Sequence, residues 1–100
     1  MEVRFKSNTL QAEFEDYRKA ERSYGKEVAR KYIQRINIIK QAANLSELMH
    51  LPGLRCHPLK GTRTGQFAIL LTYRYRLIIS VSGNSLEIAQ IEEVSKHYGD

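Results

Sequence analysis

The chain has 100 residues, with 16 Lys+Arg against 11 Asp+Glu, a formal charge of +5, three histidines, one cysteine and no tryptophan. That size holds one small domain, so an active site on it is an open surface groove, and a single cysteine excludes an internal disulfide or a cysteine-rich metal site. No apolar run approaches the roughly 20 residues of a membrane span, and the opening residues lack a secretory signal's layout, so a soluble, cytoplasmic protein is expected.

In chain order, Val3 and Phe5 alternate with Arg4 over residues 1–5, which predicts a short strand. Ser7-Asn8-Thr9 opens a helix, with Gln11 three residues after Asn8 in capping-box spacing. Leu10, Phe14, Tyr17 and Tyr24 recur at helical spacing while Glu13, Glu15, Asp16, Lys19 and Arg22 fall elsewhere, so one amphipathic helix is expected before Gly25. A second helix over 26–43 gathers Val28, Ala29, Tyr32, Ile33, Ile36, Ile39 and Ala43 on one stripe and turns Arg30, Lys31, Gln34, Arg35 and Gln41 away. So short a join predicts a helical hairpin. Asn44 with Glu47 marks a third start, closed after about one turn by Pro52-Gly53.

Beyond Gly53 the hydrophobic period falls from near 3.6 to 2. Residues 55–59 are extended, and Pro58 suits an edge. Residues 61–65 form a Gly-bounded loop. Phe67, Ile69, Leu71 and Tyr73 alternate with Ala68, Leu70 and Thr72, residues 75–81 follow after a reversal near Tyr73-Arg74, and Ser82-Gly83-Asn84-Ser85 turns the chain into a third strand over 86–91. The order predicts an α+β fold in one domain spanning 1–100: a strand, a helical hairpin and a short third helix packed on a mostly antiparallel sheet of four to five strands. Residues 95–100 show no period and are read as a tail.

Charge is distributed unevenly. No Asp or Glu occurs between Glu47 and Glu87, a gap of 39 residues that contains Arg55, Lys60, Arg63, Arg74 and Arg76. Excluding carboxylates while keeping bases suits a surface that meets phosphates, though a sheet core with a few solvated arginines leaves the same trace. Within this stretch, His57 and Lys60 lie three residues apart, where a strand gives way to a Gly-containing loop, and both are expected to project over one surface. Arg74 and Arg76, two apart, are expected to share a strand face, where arginines can hold a phosphate bidentately. Tyr75, His97 and Tyr98 are candidates for stacking on bases or moving protons, with Tyr98 equally able to anchor the C-terminus. His50, His57 and His97 are scattered without carboxylates at ligand spacing, so no metal site is expected. Cys56 is read as a small buried residue, and Glu92-Glu93 as exposed acids at a strand exit.

Taken together, His57-Pro58-Leu59-Lys60-Gly61 with Arg63, and Tyr75-Arg76-Leu77-Ile78 sixteen residues beyond Lys60, make the whole chain similar to the RelE/ParE superfamily of bacterial type II toxins. Within it the chain resembles the HigB-like branch, the plasmid maintenance killer proteins. The resemblance implies a metal-independent endoribonuclease, without cofactor, that cuts messenger RNA in the ribosomal A site by attack of the 2′-hydroxyl on the adjacent phosphorus. It matches Lys60 and Arg76 to phosphate-stabilising cations and His57 to the family's first histidine; Arg63 and Arg74 are expected RNA-phosphate contacts on charge and position more than on motif, and Tyr75 an RNA contact as an aromatic able to stack. The C-terminus departs: Glu93-Val94-Ser95 stands where the branch often has Asp-Tyr-His, and His97-Tyr98 follows in reversed order. His97 or Tyr98 is therefore expected to replace the general acid. The implied partner is a HigA-like helix-turn-helix antitoxin, with operator DNA met only through it and no membrane. The competing expectations are a ParE-like inhibitor of DNA gyrase and a degenerate toxin that only binds its antitoxin.

Overall fold

In the computed structural model, which describes residues 1–96, the first strand is β1 (Glu2–Phe5), followed by α1 (Asn8–Glu15), α2 (Tyr17–Tyr24), α3 (Lys26–Gln41) and α4 (Leu45–His50). An edge strand β2 (His57–Pro58) and a 3-10 turn (Gly61–Arg63) lead into β3 (Gln66–Thr72), β4 (Tyr75–Ser82) and β5 (Ile88–Lys96). The strands form one sheet in the order β1-β5-β4-β3-β2. β1 runs parallel to β5 and every other pair is antiparallel, so the architecture is α+β with a mixed, mostly antiparallel sheet.

Local sequence accounts for the helix ends. Ser7, not Asn8, is the first cap: its Oγ accepts from the Leu10 amide at 3.2 Å. The single helix expected before Gly25 is two. Asp16 adopts extended backbone angles, ends α1 by donating its N–H to Ala12, and starts α2 by accepting from the Arg18 amide on its side chain at 3.0 Å. The bend has a buried reason. Glu13, expected on the polar side, is only 5% exposed and accepts hydrogen bonds from Ser23 Oγ and, at 2.5 Å, from Tyr24 Oη. In a straight helix, residues ten or eleven apart stand about 15 Å apart along the axis, so these bonds require α2 to fold back on α1.

Val28, Ala29, Tyr32, Ile36 and Ile39 of α3 are buried as expected, and Tyr32 donates its hydroxyl to the Leu10 carbonyl at 2.7 Å. Two readings of this helix are corrected. It ends at Gln41, with Ala42 rather than Ala43 buried. Arg35 is buried rather than solvated, its Nε donating to the Leu70 carbonyl at 2.9 Å and its Nη1 to Gln34 Oε1 at 2.7 Å. The β3–β4 ladder slips between Leu70 and Thr72, and Arg35 serves the carbonyl at that slip. The Asn44 cap holds as read, accepting from the Glu47 amide at 3.0 Å.

The helices cover one face of the sheet. Ile69, Leu71, Leu77, Ile79, Ala89 and Ile91 share the main core with the buried stripe of α3, which packs directly on β3 and β1. β5 runs on to Lys96, five residues beyond the end expected for it, so residues 95 and 96 belong to the sheet rather than to a tail. The pairing jumps from Ile79↔Ile91 to Ile78↔Glu93, leaving Glu92 as the extra residue of a β-bulge. Glu92 and Glu93 are thus within the sheet, not at a strand exit. Glu92 accepts from Ser80 Oγ at 2.5 Å and Gln90 Nε2 at 2.9 Å and lies 3.6 Å from Lys6 Nζ. Among the described residues no helix is long and apolar enough to cross a membrane.

Candidate active site

The sheet face turned away from the helices carries a cleft of about 190 Å³. Pairing across three ladders sets His57, Ala68, Ile78 and Glu93 in one row, and Leu70, Arg76 and Ser95 in the next. Ala68 and Ile78 are buried outside the main core and form the cleft's apolar floor, while His57, Arg63, Arg76, Ser95 and Lys96 contribute its polar walls.

His57 and Arg76 are held by backbone carbonyls and Arg63 by neighbouring side chains. Arg55 takes φ 50°, left-handed and uncommon for a residue with a Cβ, and its carbonyl lies 2.8 Å from His57 Nδ1. A carbonyl only accepts, so Nδ1 carries the proton, and in the neutral ring Nε2 keeps a lone pair. The Nη1 of Arg76 donates back to the carbonyls of Thr72, Tyr73 and Tyr75 at 2.8, 3.3 and 3.1 Å. Among the described residues, its Nη2 and Nε are not used in those bonds. Arg63 is fixed from two sides, Nε to Gln66 Oε1 at 2.8 Å and Nη2 to Glu93 Oε2 at 2.6 Å. Both partners of that ion pair are roughly half exposed, so it orients Arg63 more than it stabilises the fold.

His57, Arg63 and Arg76 therefore come together from β2, the 3-10 turn and β4. Lys60 stands exposed on the connection between Leu59 and that turn and does not line the cleft. Arg74 is not beside Arg76 on a strand face: β4 begins at Tyr75, and Arg74 sits exposed in the preceding turn. Tyr75 packs half-buried against the helix-covered core, on the side opposite Arg76. His97 and Tyr98 lie outside the described residues. In the sequence, Glu93 and Ser95 stand out only as departures from the branch's Asp-Tyr-His segment, and Lys96 does not stand out at all; the fold sets Ser95 and Lys96 at this cleft and pairs Glu93 with Arg63. The bulge at Glu92 hid them, because it breaks the two-residue period that continuous strands show.

Nearby titrating groups are structural. Burial pushes the Cys56 thiol up to about 11, consistent with a packed side chain. Burial works against the Glu92 carboxylate, but the bonds from Ser80 and Gln90 and the Lys6 ammonium outweigh it and hold its pKa below the ordinary value. Among the described residues no three of His, Cys, Asp and Glu gather as a metal site.

No protein-family model matches the chain, and no curated protein matches it by sequence. Solved structures do match along its length. A YoeB/ParE toxin from Agrobacterium tumefaciens superposes with a TM-score of 0.62 at 17% identity, covering 98% of this chain and 100% of that one. The YoeB–YefM complex from Staphylococcus aureus gives 0.58 at 20% identity, with 98% of each chain covered. YafQ from E. coli gives 0.54 at 13% identity, covering 95% of this chain and 91% of that one. The chain thus has the fold shared by the YoeB, ParE and YafQ toxin structures.

Proposed function

We propose that this protein is a type II toxin of the RelE/ParE superfamily, HigB-like in its motif, that cuts messenger RNA on the ribosome. The observation that carries the reading is the cleft itself: His57, Arg63, Arg76 and Lys96 around a small apolar floor, with Glu93 as the carboxylate at its edge, already engaged by Arg63. Anionic ligands gain from such a wall, and a phosphodiester fits it better than an apolar metabolite. The toxin fold and the His57-Pro58-Leu59-Lys60-Gly61 segment add support from two independent directions.

In the proposed reaction the ribose 2′-hydroxyl gives its proton to His57 Nε2 as the O2′–P bond forms. Charge developing on the phosphoryl oxygens is met by the unused donors of Arg76, with Lys60 and Arg63 adding positive potential along the strand. The P–O5′ bond then breaks, and the leaving oxygen takes a proton from His97 or Tyr98, leaving a 2′,3′-cyclic phosphate. Arg74 contacts phosphate outside the cleft. For the partner, the YoeB–YefM complex supports neutralisation by a cognate antitoxin. The HigB-like motif favours a helix-turn-helix one, which would carry the toxin to operator DNA.

Induced expression in bacteria tests the reading. The parent chain is expected to arrest growth, and Arg76→Ala and His57→Ala to relieve the arrest at equal protein level. Termination after Lys96, which leaves β5 intact and removes His97 and Tyr98, is expected to do the same. Arrest that persists in all three variants, with gyrase supercoiling inhibited instead, would replace the nuclease with the ParE-like mode.

A further inference from the structure

The most exposed large apolar side chain among the described residues is Tyr73, 87% exposed at the tip of the β3–β4 hairpin. Arg74 is exposed beside it. Turn chemistry does not call for an aromatic ring here, since glycine and small polar residues are what turns use. Nor is this tip a loose one. Arg76 Nη1 bonds the carbonyls of Thr72, Tyr73 and Tyr75, so the guanidinium that lines the cleft also braces the turn presenting Tyr73 and Arg74. The tip stands at the cleft's own end of the sheet, since Arg76 and Tyr75 pair with Ser95 and Lys96.

We infer that Tyr73 and Arg74 form a nucleotide subsite continuous with the cleft: the Tyr73 ring stacks on the base next to the one whose phosphate lies at Arg76, and Arg74 holds the intervening backbone. This inference rests on the RNA-cleaving reading of the cleft. An aromatic platform with an adjacent arginine is the chemistry that single-stranded nucleic acid needs, since every base offers a ring face and every linkage a charge. It also separates two roles that sequence would merge. Tyr75 is half-buried on the core side, whereas Tyr73, two residues earlier, is the ring free to stack. Because Tyr73 is tied to the cleft through the backbone that Arg76 braces, stacking there fixes which phosphate reaches Arg76, and so sets the rate and, through differences in stacking strength among bases, a modest nucleotide preference.

The test is mapping of new RNA 5′ ends after induction of the parent, Tyr73→Phe, Tyr73→Ala and Arg74→Ala at equal protein level, with thermal melting as a folding check. Tyr73→Phe is expected to cut like the parent. Tyr73→Ala should melt with the parent, cut about tenfold more slowly, from the value of one base–aromatic stack, and lose nucleotide preference beside the cut. Arg74→Ala should slow cutting without changing that preference. A Tyr73→Ala variant with the parent's rate and nucleotide spectrum overturns the subsite and leaves the nuclease reading standing. So does a variant that cuts normally but escapes its antitoxin, which makes the tip a protein-docking site. If the parent itself yields no new ends, the nuclease reading fails and the subsite with it.

Discussion

At the scale of single residues, the same cations do different work. Lys60 and Arg76 look equivalent in the sequence, two bases at motif positions whose removal should cost little folding energy if both charges face solvent. Their surroundings separate them. Lys60 is exposed, so Lys60→Ala is expected to change stability by less than about 0.5 kcal/mol. Arg76 satisfies three turn carbonyls and is half-buried, so Arg76→Ala is expected to cost about 1–2 kcal/mol as well as activity. For a domain of this size that is a fall of roughly 4–16 °C in melting midpoint, readable by circular dichroism. Equal midpoints for the two variants would contradict the bracing role. A second residue-scale expectation concerns Glu92. Its pKa is depressed in the folded state, so its contribution to stability is present above the ordinary glutamate value of about 4.5 and is lost as pH falls through the folded value. Ser80→Ala removes one of the bonds that depress it. The variant's melting midpoint should therefore fall less steeply than the parent's between about pH 6 and pH 3, and parallel curves would show that Ser80 does not hold the charge.

At the scale of elements, the pieces legible in the sequence were those whose pattern is local. The Asn44 cap, the stripe of α3, the edge strand at Pro58 and the β3–β4 reversal all follow from spacing and turn chemistry within a few residues. What escaped was decided by distant partners. Asp16 breaks a helical pattern that Leu10, Phe14, Tyr17 and Tyr24 continue, and the reason lies in Glu13 meeting Ser23 and Tyr24. Arg35 reads as a solvated helix residue and is buried because β3 offers it the Leu70 carbonyl. The bulge at Glu92 shifts Val94 out of the period set by Ala89 and Ile91, so the last two residues of β5 looked like a tail. The first of these breaks can be probed directly. Asp16→Ala deletes the cap of α2 and is expected to cost about 1 kcal/mol in urea unfolding. Glu13→Ala strands two donors and should cost about 2 kcal/mol or more. If Glu13→Ala unfolded no more readily than Asp16→Ala, the helix break would not depend on the buried carboxylate.

At the scale of the whole molecule, one sheet does two jobs with its two faces. The helix-covered face supplies the core, and the opposite face supplies the cleft, so Leu77 and Ile79 stabilise the same strand on which Arg76 and Ile78 line the site. The overall charge of +5 gains meaning from this division. The acid-free stretch between Glu47 and Glu87 contains His57, Arg63 and Arg76, which the fold brings to one cleft, and also Lys60 and Arg74, which it leaves exposed on neighbouring loops. Lys96, contributed by the end of β5, joins them. The cationic motif was therefore legible as a set of residue types, while the membership of the cleft was not, because it depends on register across four strands.

The most direct measurement of the central claim is sequencing of RNA 5′ ends after brief induction, with translation running or blocked by an initiation inhibitor. The account predicts new ends inside translated codons for the parent, their disappearance when initiation is blocked, and their absence in His57→Ala and Arg76→Ala. Growth arrest by the parent without new ends, or identical ends in the parent and both variants, would contradict it.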